Sequence, residues 1–507
     1  MSTRTGLLTL AIVALYASIM FVTNSHFTIL DDESTIVAVA GHPVLPTIKL
    51  FLSGGDQNEH PPLSDIALHG WLVATHYSFF FLRVFANMFF IAGMLCLSFA
   101  ARRLAGPRAY WSVLLLGFVW PFAFQYGRIT GWYCFCMFVV SALIWAYVEL
   151  LEDKHIWSWA AFAVAALLLV WSNYFSVVIL ALLFIDFLLF HRRVASRQMR
   201  LFTIVSVVIA ASFLPLAQIA ISNLPTSQPT SQVHWSNAFA ILAYPAFAIF
   251  ASAAVAPWFL PLSIPVALSA CALVVSIWFS PGLRWFFYFV LAIILLDLTG
   301  HMNIKRVLFL LPYLFLAMGL ASASRASRYP KLAWAAIAIL VTAGWIGIAS
   351  GRHYATTNLY EPWDQVAQVV ANDARSGATI ISASRPFLFY LDYQLGLEAD
   401  TQEADGPYLG EAVYRAHGYK ILQPDEGETW GDNLRGKVAL VNGSGQQADI
   451  AAGEALNDRL RLRCRTLGKF VAAPDPAASW KTEFVKGAPV LPYRVNAFWY
   501  DCSNSAK

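Results

Sequence analysis

Acidic and histidine side chains occur at two places in a polar segment that separates two apolar stretches. Asp31, Asp32 and Glu33 directly follow the first apolar stretch, and Glu59 and His60 precede a Pro-Pro pair. A carboxylate held at a low-dielectric boundary can act as a general base toward a hydroxyl nucleophile. Acids also stabilise a helix N-terminus, and Asp31 is a suitable N-cap. Helix capping alone would therefore explain the three adjacent acids without a catalytic role.

The prolines after His60 fix an extended entry into the next helical stretch. Such an entry directs Glu59 and His60 back toward the membrane surface, although a rigid turn with solvated side chains explains the same pattern. Glu59 and Asp32 are also a candidate pair for a divalent cation, with His26 or His301 as further ligands. Because this spacing is not diagnostic of a metal, the sequence leaves metal binding open.

The composition predicts a membrane protein with a soluble tail. Of 507 residues, 58% are hydrophobic and 13% charged, whereas soluble domains carry about 25% charged residues. Apolar runs long enough to cross about 30 Å of hydrocarbon recur to about Ser350 and then stop. We therefore expect a transmembrane domain over residues 1–350 and a soluble domain over residues 351–507. The net charge of +4 forms no basic stripe, which argues against a nucleic-acid partner.

The positions of Lys and Arg predict which runs cross, because basic residues concentrate in cytoplasmic loops. Placing the basic clusters on one side predicts a protein with about eleven transmembrane helices. The predicted spans lie near residues 6–24, 80–101, 111–126, 129–149, 156–173, 174–190, 201–222, 258–280, 284–300, 304–322 and 332–350. Two apolar stretches, Leu63–Thr75 and Phe239–Ala256, are then juxtamembrane or re-entrant helices.

This topology predicts which segments open on the outer face of the membrane. They are a large first loop over residues 25–79, the segments 125–130, 222–235 and 300–305, and the whole tail. The polar residues discussed above all fall in these segments. The Arg-rich inner loops indicate a multi-pass protein of a bacterial inner (plasma) membrane, with the C-terminal domain on the periplasmic side.

Alternating helix and strand patterns in the tail predict a small α/β domain. The predicted elements are helix Pro362–Ala374, strands Thr379–Ser382 and Lys437–Val441, helix Ala448–Leu460, and strands Cys464–Val471 and Val495–Tyr500. The tail offers no convincing catalytic group, so we interpret it as a lid or an acceptor-handling domain. Cys464 and Cys502 form a candidate disulfide if the tail lies in an oxidising compartment. The other four cysteines lie in apolar spans and are interpreted as packing residues.

The order of the motifs resembles the group of protein O-mannosyltransferases and lipid A aminoarabinose transferases, which have the GT-C fold. An Asp-Glu pair follows the first transmembrane helix, and Glu-His-Pro-Pro-Leu over residues 59–63 ends the same loop. Two further stretches fit, Tyr126-Gly127-Arg128 through Gly131-Trp132-Tyr133 and Lys305-Arg306 through Leu311-Pro312. The resemblance covers the order of elements to about residue 320 and the outer tail. Glu59 is more typical of the aminoarabinose transferases, whereas His60 is more typical of the mannosyltransferases. The acceptor class therefore stays open.

The resemblance implies a donor whose sugar is joined through one phosphate to a polyprenyl chain, and an inverting displacement at the anomeric carbon. Asp32 becomes the candidate general base because Glu33 follows it, and Glu33 becomes an orienting or second acidic group. Positive groups must stabilise the departing lipid phosphate, and the planar fork of arginine suits its oxygens. The candidate substrate-binding residues are Asp31, Glu59, His60, Arg128, Tyr133, Lys305 and Arg306.

The basic candidates differ in how readily a structural role explains them. Snorkelling at a helix end explains Lys305 and Arg306 equally well. Arg128 is harder to explain in this way, because basic residues are rare on the outer face and a charge near the membrane indicates function.

We therefore expect an enzyme whose active site faces the periplasm and whose partners are a polyprenyl-phosphate sugar, a glycan, lipid or protein acceptor, and membrane lipids. A transporter or flippase for lipids or lipid-linked sugars is the main alternative. Such proteins tend to show paired repeats and broken helices at the bilayer midplane, whereas this sequence shows no internal repeat and its polar groups cluster at one face. A non-catalytic lipid-binding or scaffold protein, with the acids as helix caps, is a third interpretation.

Overall fold

A computed structural model of the chain shows helices over most of the described part of the first 350 residues and a small sheet in the described part of the tail. The described residues are 3–24, 31–41, 43–52, 60–76, 78–152, 156–190, 196–223, 247–251, 255, 259–298, 304–350, 362–382, 384–397, 411–422, 434–443, 447–472 and 495–503. The chain forms two compact units, each of which is assembled from separate segments. The first unit comprises Met1–Val22, Val44–Ala67 and Arg83–Ser350, and the second comprises Thr23–Pro43, Leu68–Leu82 and Gly351–Lys507.

Helices α1 to α15 make up most of the described part of the chain before the tail. They are α1 Thr3–Asn24, α2 Asp31–Gly41, α3 Val44–Leu52, α4 Leu63–Ala74, α5 Phe79–Ala105, α6 Pro107–Val119, α7 Pro121–Tyr126, α8 Trp132–Glu152, α9 Ile156–Val170, α10 Ser176–Phe190, α11 Ser196–Asn223, α12 Leu260–Trp278, α13 Leu283–Leu298, α14 Leu311–Ala323 and α15 Pro330–Ser350. A 3₁₀ helix, Ile304–Leu310, leads directly into α14.

Seven helices in the described part of the chain are long and apolar enough to cross a membrane. They are Thr3–Asn24, Phe81–Ala105, Trp132–Leu151, Met199–Ala217, Leu260–Trp278, Arg306–Ala323 and Pro330–Ala349. The prediction of a polytopic α-helical protein is therefore confirmed. Other predicted spans correspond to shorter apolar helices, among them α9 and α10, so the number of about eleven crossings stays a prediction.

Two proline-containing segments differ from the predicted spans. The stretch predicted as one span over residues 111–126 is divided into α6 and α7, because Trp120 before Pro121 takes extended dihedrals of −72° and 119°. A residue before proline disfavours the α conformation. Pro312 acts differently, because Leu310, at the N-terminal boundary of α14, keeps helical dihedrals of −91° and −16°. The effect of Pro312 is the loss of the N–H that would continue an α-helix from the preceding turn. The segment carrying Lys305 and Arg306 is correspondingly a 3₁₀ helix.

The two stretches predicted not to cross have different outcomes. Leu63–Thr75 forms the helix α4, whose 12 residues extend about 18 Å, less than the thickness of the hydrocarbon layer. Phe239–Ala256 lies mostly outside the described residues, apart from a helical segment at 247–251.

Helix α14 lies at the centre of the first unit and is buried on every side. It packs against α6, α8, α12, α13 and α15. A Cβ atom at Gly319 would lie 2.3 Å from Cγ2 of Val113 on α6, so only glycine allows the two helix backbones this close approach. An apolar helix surrounded in this way holds its neighbours in fixed positions.

The tail of the second unit is a mixed five-stranded sheet with helices on both faces. Its strands are β1 Thr379–Ile381, β2 Lys420–Leu422, β3 Lys437–Gly443, β4 Arg465–Ala472 and β5 Val495–Asp501, in the order β2-β1-β3-β5-β4. Its helices are α16 Trp363–Arg375, α17 Arg385–Leu395, α18 Glu411–Ala416 and α19 Gln447–Arg463. Strand β1 pairs in parallel with β2 and β3, whereas β5 pairs antiparallel with β3 and β4.

Alternating side chains of the central strands contact different helices. Val438 and Leu440 of β3 join the core that contains Leu456 and Leu460 of α19. On β5, Tyr500 donates a hydrogen bond to Oδ1 of Asn457 on α19 (2.5 Å), and Trp499 donates one to Oδ2 of Asp373 on α16 (2.5 Å). The predicted α/β domain is confirmed, and its six predicted elements are all present.

Cys464 and Cys502 form the disulfide that the sequence suggested. Their Cα atoms are 4.6 Å apart, and the bond joins the end of α19 to the end of β5. Among the described residues, Cys96, Cys134, Cys136 and Cys271 form no disulfide. Cys134 and Cys136 are buried, as expected for packing residues, whereas Cys96 is half-buried and Cys271 is exposed.

Candidate active site

The loop between α7 and α8 carries a completely buried arginine, Arg128. Its Nε atom donates a hydrogen bond to the carbonyl oxygen of Phe124 (3.0 Å), and its guanidinium lies 4.2 Å from the centroid of the Phe124 ring. Arg83 of α5, also buried, donates a hydrogen bond from Nη1 to the carbonyl oxygen of Arg128 (2.9 Å). Arg83 therefore fixes the backbone of the loop that carries Arg128.

The surroundings of Arg128 favour binding of an anion. Burial lowers the pKa of its guanidinium to about 9, and the nearby charge of Arg83 acts in the same direction. Tyr16 on α1 acts in the opposite direction and raises this pKa. Two positive charges at short range in a low-dielectric region repel each other, so an anion between or beside them would lower the energy of both.

The rings of His60 and Tyr133 both contact a tryptophan, Trp132, at the start of α8. The ring centroids of His60 and Trp132 are 4.5 Å apart, and those of Trp132 and Tyr133 are 4.2 Å apart. Phe309 of the 3₁₀ helix contacts the same indole ring, with centroids 5.8 Å apart. The aromatic ring of Trp132 thereby connects the entry to α4, the start of α8 and the 3₁₀ helix within the first unit.

Arg306 and Lys305 belong to the 3₁₀ helix. The Arg306 guanidinium lies 5.4 Å from the ring centroid of Phe175, in the linker between α9 and α10. The backbone of Lys305 is helical, but its side chain lies outside the described part of the chain. The 3₁₀ helix packs against α8, and its Phe309 contacts Trp132, so the segment that carries Arg306 adjoins the start of α8.

Asp65 is a buried acid in the first turn of α4, the helix that follows His60. Burial raises the pKa of its carboxyl group to about 7. The thiol of Cys136, one helical turn after Trp132 on α8, is an electrostatic neighbour of this carboxyl group and also lies beside the side-chain amide of Asn173. The backbone N–H of Leu63 donates a hydrogen bond to the carbonyl oxygen of Trp171 (3.1 Å), which fixes the start of α4 against the α9–α10 linker.

The acidic motif begins helix α2 in the second unit. Asp31 and Asp32 form the first turn of the helix, and their side chains lie outside the described residues. Glu33 is fully buried, and α2 packs against α17 of the same unit. Glu59 also lies outside the described residues.

Metal binding remains open at this site. Among the side chains that the structure describes, no group of three or more His, Cys, Asp or Glu residues is arranged to hold a metal ion. The residues that the sequence suggested as ligands, Glu59, His26 and His301, are outside that set, as is the side chain of Asp32.

Two residues of this site were not predicted from the sequence. Arg83 lies near the start of the apolar helix α5, at the end opposite Arg102 and Arg103. A basic residue this far from the basic cluster could have indicated a functional residue in the sequence. Asp65 is the acidic residue of an otherwise apolar helix. An acid in the first turn of a helix is readily attributed to the helix dipole, so its burial was not anticipated.

Comparison with solved structures shows the fold. The chain is similar to the crystal structure of ArnT from Cupriavidus metallidurans in the apo state, with a TM-score of 0.55 and 13% sequence identity over 100% of both chains. It is also similar to the crystal structure of the same protein bound to undecaprenyl phosphate, with a TM-score of 0.53 and 12% identity over 98% of both chains. No protein-family model matches the chain, and no curated protein matches it. The chain therefore has the fold of the lipid A aminoarabinose transferase ArnT, a GT-C fold with a multi-pass helical membrane part and a small sheet.

Proposed function

We propose that this protein transfers a sugar from a polyprenyl-phosphate donor to an acceptor hydroxyl group. The acceptor oxygen attacks the anomeric carbon, the bond from that carbon to the phosphate oxygen breaks, and the configuration at the anomeric carbon inverts. The acceptor proton passes to a carboxylate, and polyprenyl phosphate leaves with the bonding electron pair. The reaction therefore needs a general base and a cationic site for the leaving phosphate.

The buried arginine Arg128 is the observation that carries this proposal. A guanidinium held by Phe124 and supported by Arg83 is a preorganised phosphate ligand. His60 and Arg306, at the neighbouring end of α8, supply further donors, and we assign Lys305 to the same role. The shared fold adds support, because the ArnT structure contains undecaprenyl phosphate.

The general base is assigned to Asp32, with Glu33 as the group that orients it. The burial of Glu33 supports an orienting role, because a buried carboxylate keeps a fixed position. Asp31, Glu59 and Tyr133 remain candidate substrate-binding residues. Metal dependence is left open.

We assign the active site and the tail to the periplasmic side of a bacterial inner membrane. The Cys464–Cys502 disulfide supports this assignment, because disulfides persist in oxidising compartments. The acceptor is a hydroxyl group of a glycan, a lipid or a protein, and the tail is assigned to handling that acceptor.

Transfer of labelled sugar by the purified protein tests the proposal. The donors are a panel of undecaprenyl-phosphate sugars, and the acceptors come from a membrane extract. Asp32→Asn removes the base without changing the size of the side chain, and we expect the rate to fall roughly 100-fold or more. Asp458→Asn is the control, since it removes an exposed carboxylate of α19 that has no role in the proposed site.

The two variants separate the alternatives. Loss of turnover in Asp32→Asn but not in Asp458→Asn supports both the reaction class and the base. Absence of turnover with every donor in the wild type, together with measurable donor binding, would instead favour a transporter or a binding protein.

A further inference from the structure

The carboxyl group of Asp65 has no role in the mechanism proposed above, yet it is 95% buried in the first unit (5% exposed). Among the residues that the structure describes, none donates a hydrogen bond or forms an ion pair with it. Buried polar groups normally have partners, and an exception requires an explanation such as a missing ligand.

Asp186, a buried acid on α10, shows what a purely structural carboxylate looks like in this protein. It accepts hydrogen bonds from the hydroxyl groups of Tyr147 and Tyr288, both at 2.6 Å, and it pairs with Nε of Arg284 at 3.3 Å. The fold thus supplies partners for a carboxylate that it keeps for stability. Asp65 lacks such an arrangement among the described residues.

Further polar groups lie at the start of α4 and on the chain segments beside it, since the backbone hydrogen bond from Leu63 to Trp171 (3.1 Å) joins the start of α4 to the α9–α10 linker. The hydroxyl groups of Ser64, at the start of α4, and Ser176, at the start of α10, are buried without a hydrogen-bond partner in the described part of the chain. The thiol of Cys136 and the amide of Asn173 lie beside each other near the carboxyl group. These five residues, which we call the Asp65 cluster, offer both donors and acceptors within an otherwise apolar region.

The Asp65 cluster is linked to the assigned phosphate ligands through the start of α8. Cys136 follows Trp132 by one turn of α8, and Trp132 contacts His60. In a polyprenyl-phosphate donor the sugar is bonded directly to the phosphate. A group that recognises the sugar must therefore lie within a few bond lengths of the phosphate ligands.

We propose that the Asp65 cluster is a subsite that binds hydroxyl groups of the donor sugar, an inference that rests on the proposed transferase function. Sugar hydroxyl groups donate to the carboxylate of Asp65 and accept from the donors around it. Bound sugar thereby provides the hydrogen bonds that the buried cluster otherwise lacks. Asp65 is a binding residue in this scheme and takes no part in proton transfer.

Equilibrium binding tests the proposal without relying on turnover. The probes are undecaprenyl phosphate and undecaprenyl-phosphate-linked glucose, mannose, galactose and arabinose, together with deoxy analogues of the sugar that binds most tightly. We expect Asp65→Ala to weaken binding of that donor by roughly 10- to 100-fold, the effect of losing hydrogen bonds to a charged group. Binding of undecaprenyl phosphate itself should stay unchanged.

One deoxy analogue should identify the hydroxyl group that Asp65 contacts. For that analogue, wild type and Asp65→Ala should bind equally, because the interaction is already missing. Asp65→Asn, which keeps the shape of the side chain, should show an intermediate loss and covers the case in which the alanine variant fails to fold. Glu149→Gln is the control acid on α8, far from Cys136 along the helix and paired with Arg103.

Three results would overturn the proposal. The first is that Asp65→Ala weakens binding of undecaprenyl phosphate and of its sugar-linked form equally. The second is that both Asp65 variants keep the wild-type affinity for the donor. The third is that the wild type binds no sugar donor more tightly than undecaprenyl phosphate. Because these are binding measurements, a wild type that binds donors through Asp65 but transfers no sugar would contradict the proposed function alone.

Discussion

At the scale of single residues, the proposed function rests most directly on a buried charged side chain, Arg128, because burying a charge destabilises a protein unless it has a partner. Arg128 was recognisable in the sequence because basic residues are rare on the outer side of a membrane protein. Its supporting residue Arg83 was not, because the contact between them joins positions 45 residues apart. Sequence patterns report local periodicity and do not report such long-range contacts.

Arg128→Lys tests the phosphate ligand. Lysine keeps the charge but cannot reproduce the planar fork or the hydrogen bond from Nε to Phe124. We expect roughly 10- to 100-fold weaker binding of undecaprenyl phosphate, the effect of one or two charge-assisted hydrogen bonds. The control is Arg103→Lys, at an exposed arginine that pairs with Glu149. Unchanged affinity in a folded Arg128→Lys protein would remove this residue from the site.

Asp392 of α17 predicts a pH dependence of local stability in the tail. Burial raises the pKa of this carboxyl group to about 8, although a hydrogen bond from the Tyr414 hydroxyl to Oδ1 (2.7 Å) opposes the change. The ordinary pKa of aspartate in an unfolded chain is about 3.9. The folded state therefore holds the proton more tightly. Its stability is greatest below about pH 4 and decreases as the pH rises toward about 8.

Hydrogen exchange of the α17 amides, corrected for intrinsic exchange rates, measures this effect. We expect the opening equilibrium of wild type to increase with pH by up to about tenfold per unit within that window. Asp392→Asn should remove most of this dependence, whereas Asp458→Asn, at an exposed position of α19, should retain it. The same pH dependence in both variants would show that Asp392 is charged in the folded protein.

At the scale of elements, apolar length predicted the helices well, because a long apolar run in a membrane has few alternatives to a helix. The break at Trp120 and the 3₁₀ turn before Pro312 were not predicted. Both depend on the effect of a single proline on the backbone of adjacent residues. Hydropathy averaged over a window of residues does not detect such an effect. Strand β2 was also missed, because it contains three residues and is defined by its pairing with β1.

Gly127→Ala tests whether the loop geometry positions Arg128. A Cβ atom at this residue would lie 2.5 Å from the carbonyl oxygen of Ala123 and 3.0 Å from the ring of Phe90. Because a backbone oxygen cannot move aside independently, we expect the loop to shift. Affinity for undecaprenyl phosphate should then fall roughly tenfold, since phosphate ligands act through precise placement.

Gly6→Ala is the control for this substitution, because nothing lies within 4 Å of the added atom. Its affinity should equal that of wild type. An unchanged affinity in Gly127→Ala would mean that the loop tolerates displacement and that Arg128 is not preorganised.

At the scale of the whole molecule, sequence composition correctly separated a helical membrane part from an α/β tail. It did not indicate that segments of the first polar loop, Thr23–Pro43 and Leu68–Leu82, belong to the same compact unit as the tail. Such an assignment depends on contacts such as those between α2 and α17, which are more than 300 residues apart in the chain. A single sequence contains no direct record of them.

Fusions to topology reporters test the predicted orientation. A C-terminal alkaline phosphatase should be active and a C-terminal green fluorescent protein dark, because the tail with its disulfide is assigned to the periplasm. The same reporters placed after Arg328, between α14 and α15, should give the opposite result. A fluorescent C-terminal fusion would place the tail in the cytoplasm and contradict the assignment.

The most direct test of the central claim is the fate of the donor in sealed proteoliposomes containing purified protein. With an undecaprenyl-phosphate sugar labelled in both the sugar and the lipid, and with an acceptor present, a transferase releases one undecaprenyl phosphate for every sugar that becomes attached to the acceptor. We predict this stoichiometric release, with dependence on the acceptor and loss in Asp32→Asn. Movement of intact donor between leaflets without any release of undecaprenyl phosphate would contradict the account and identify a transporter.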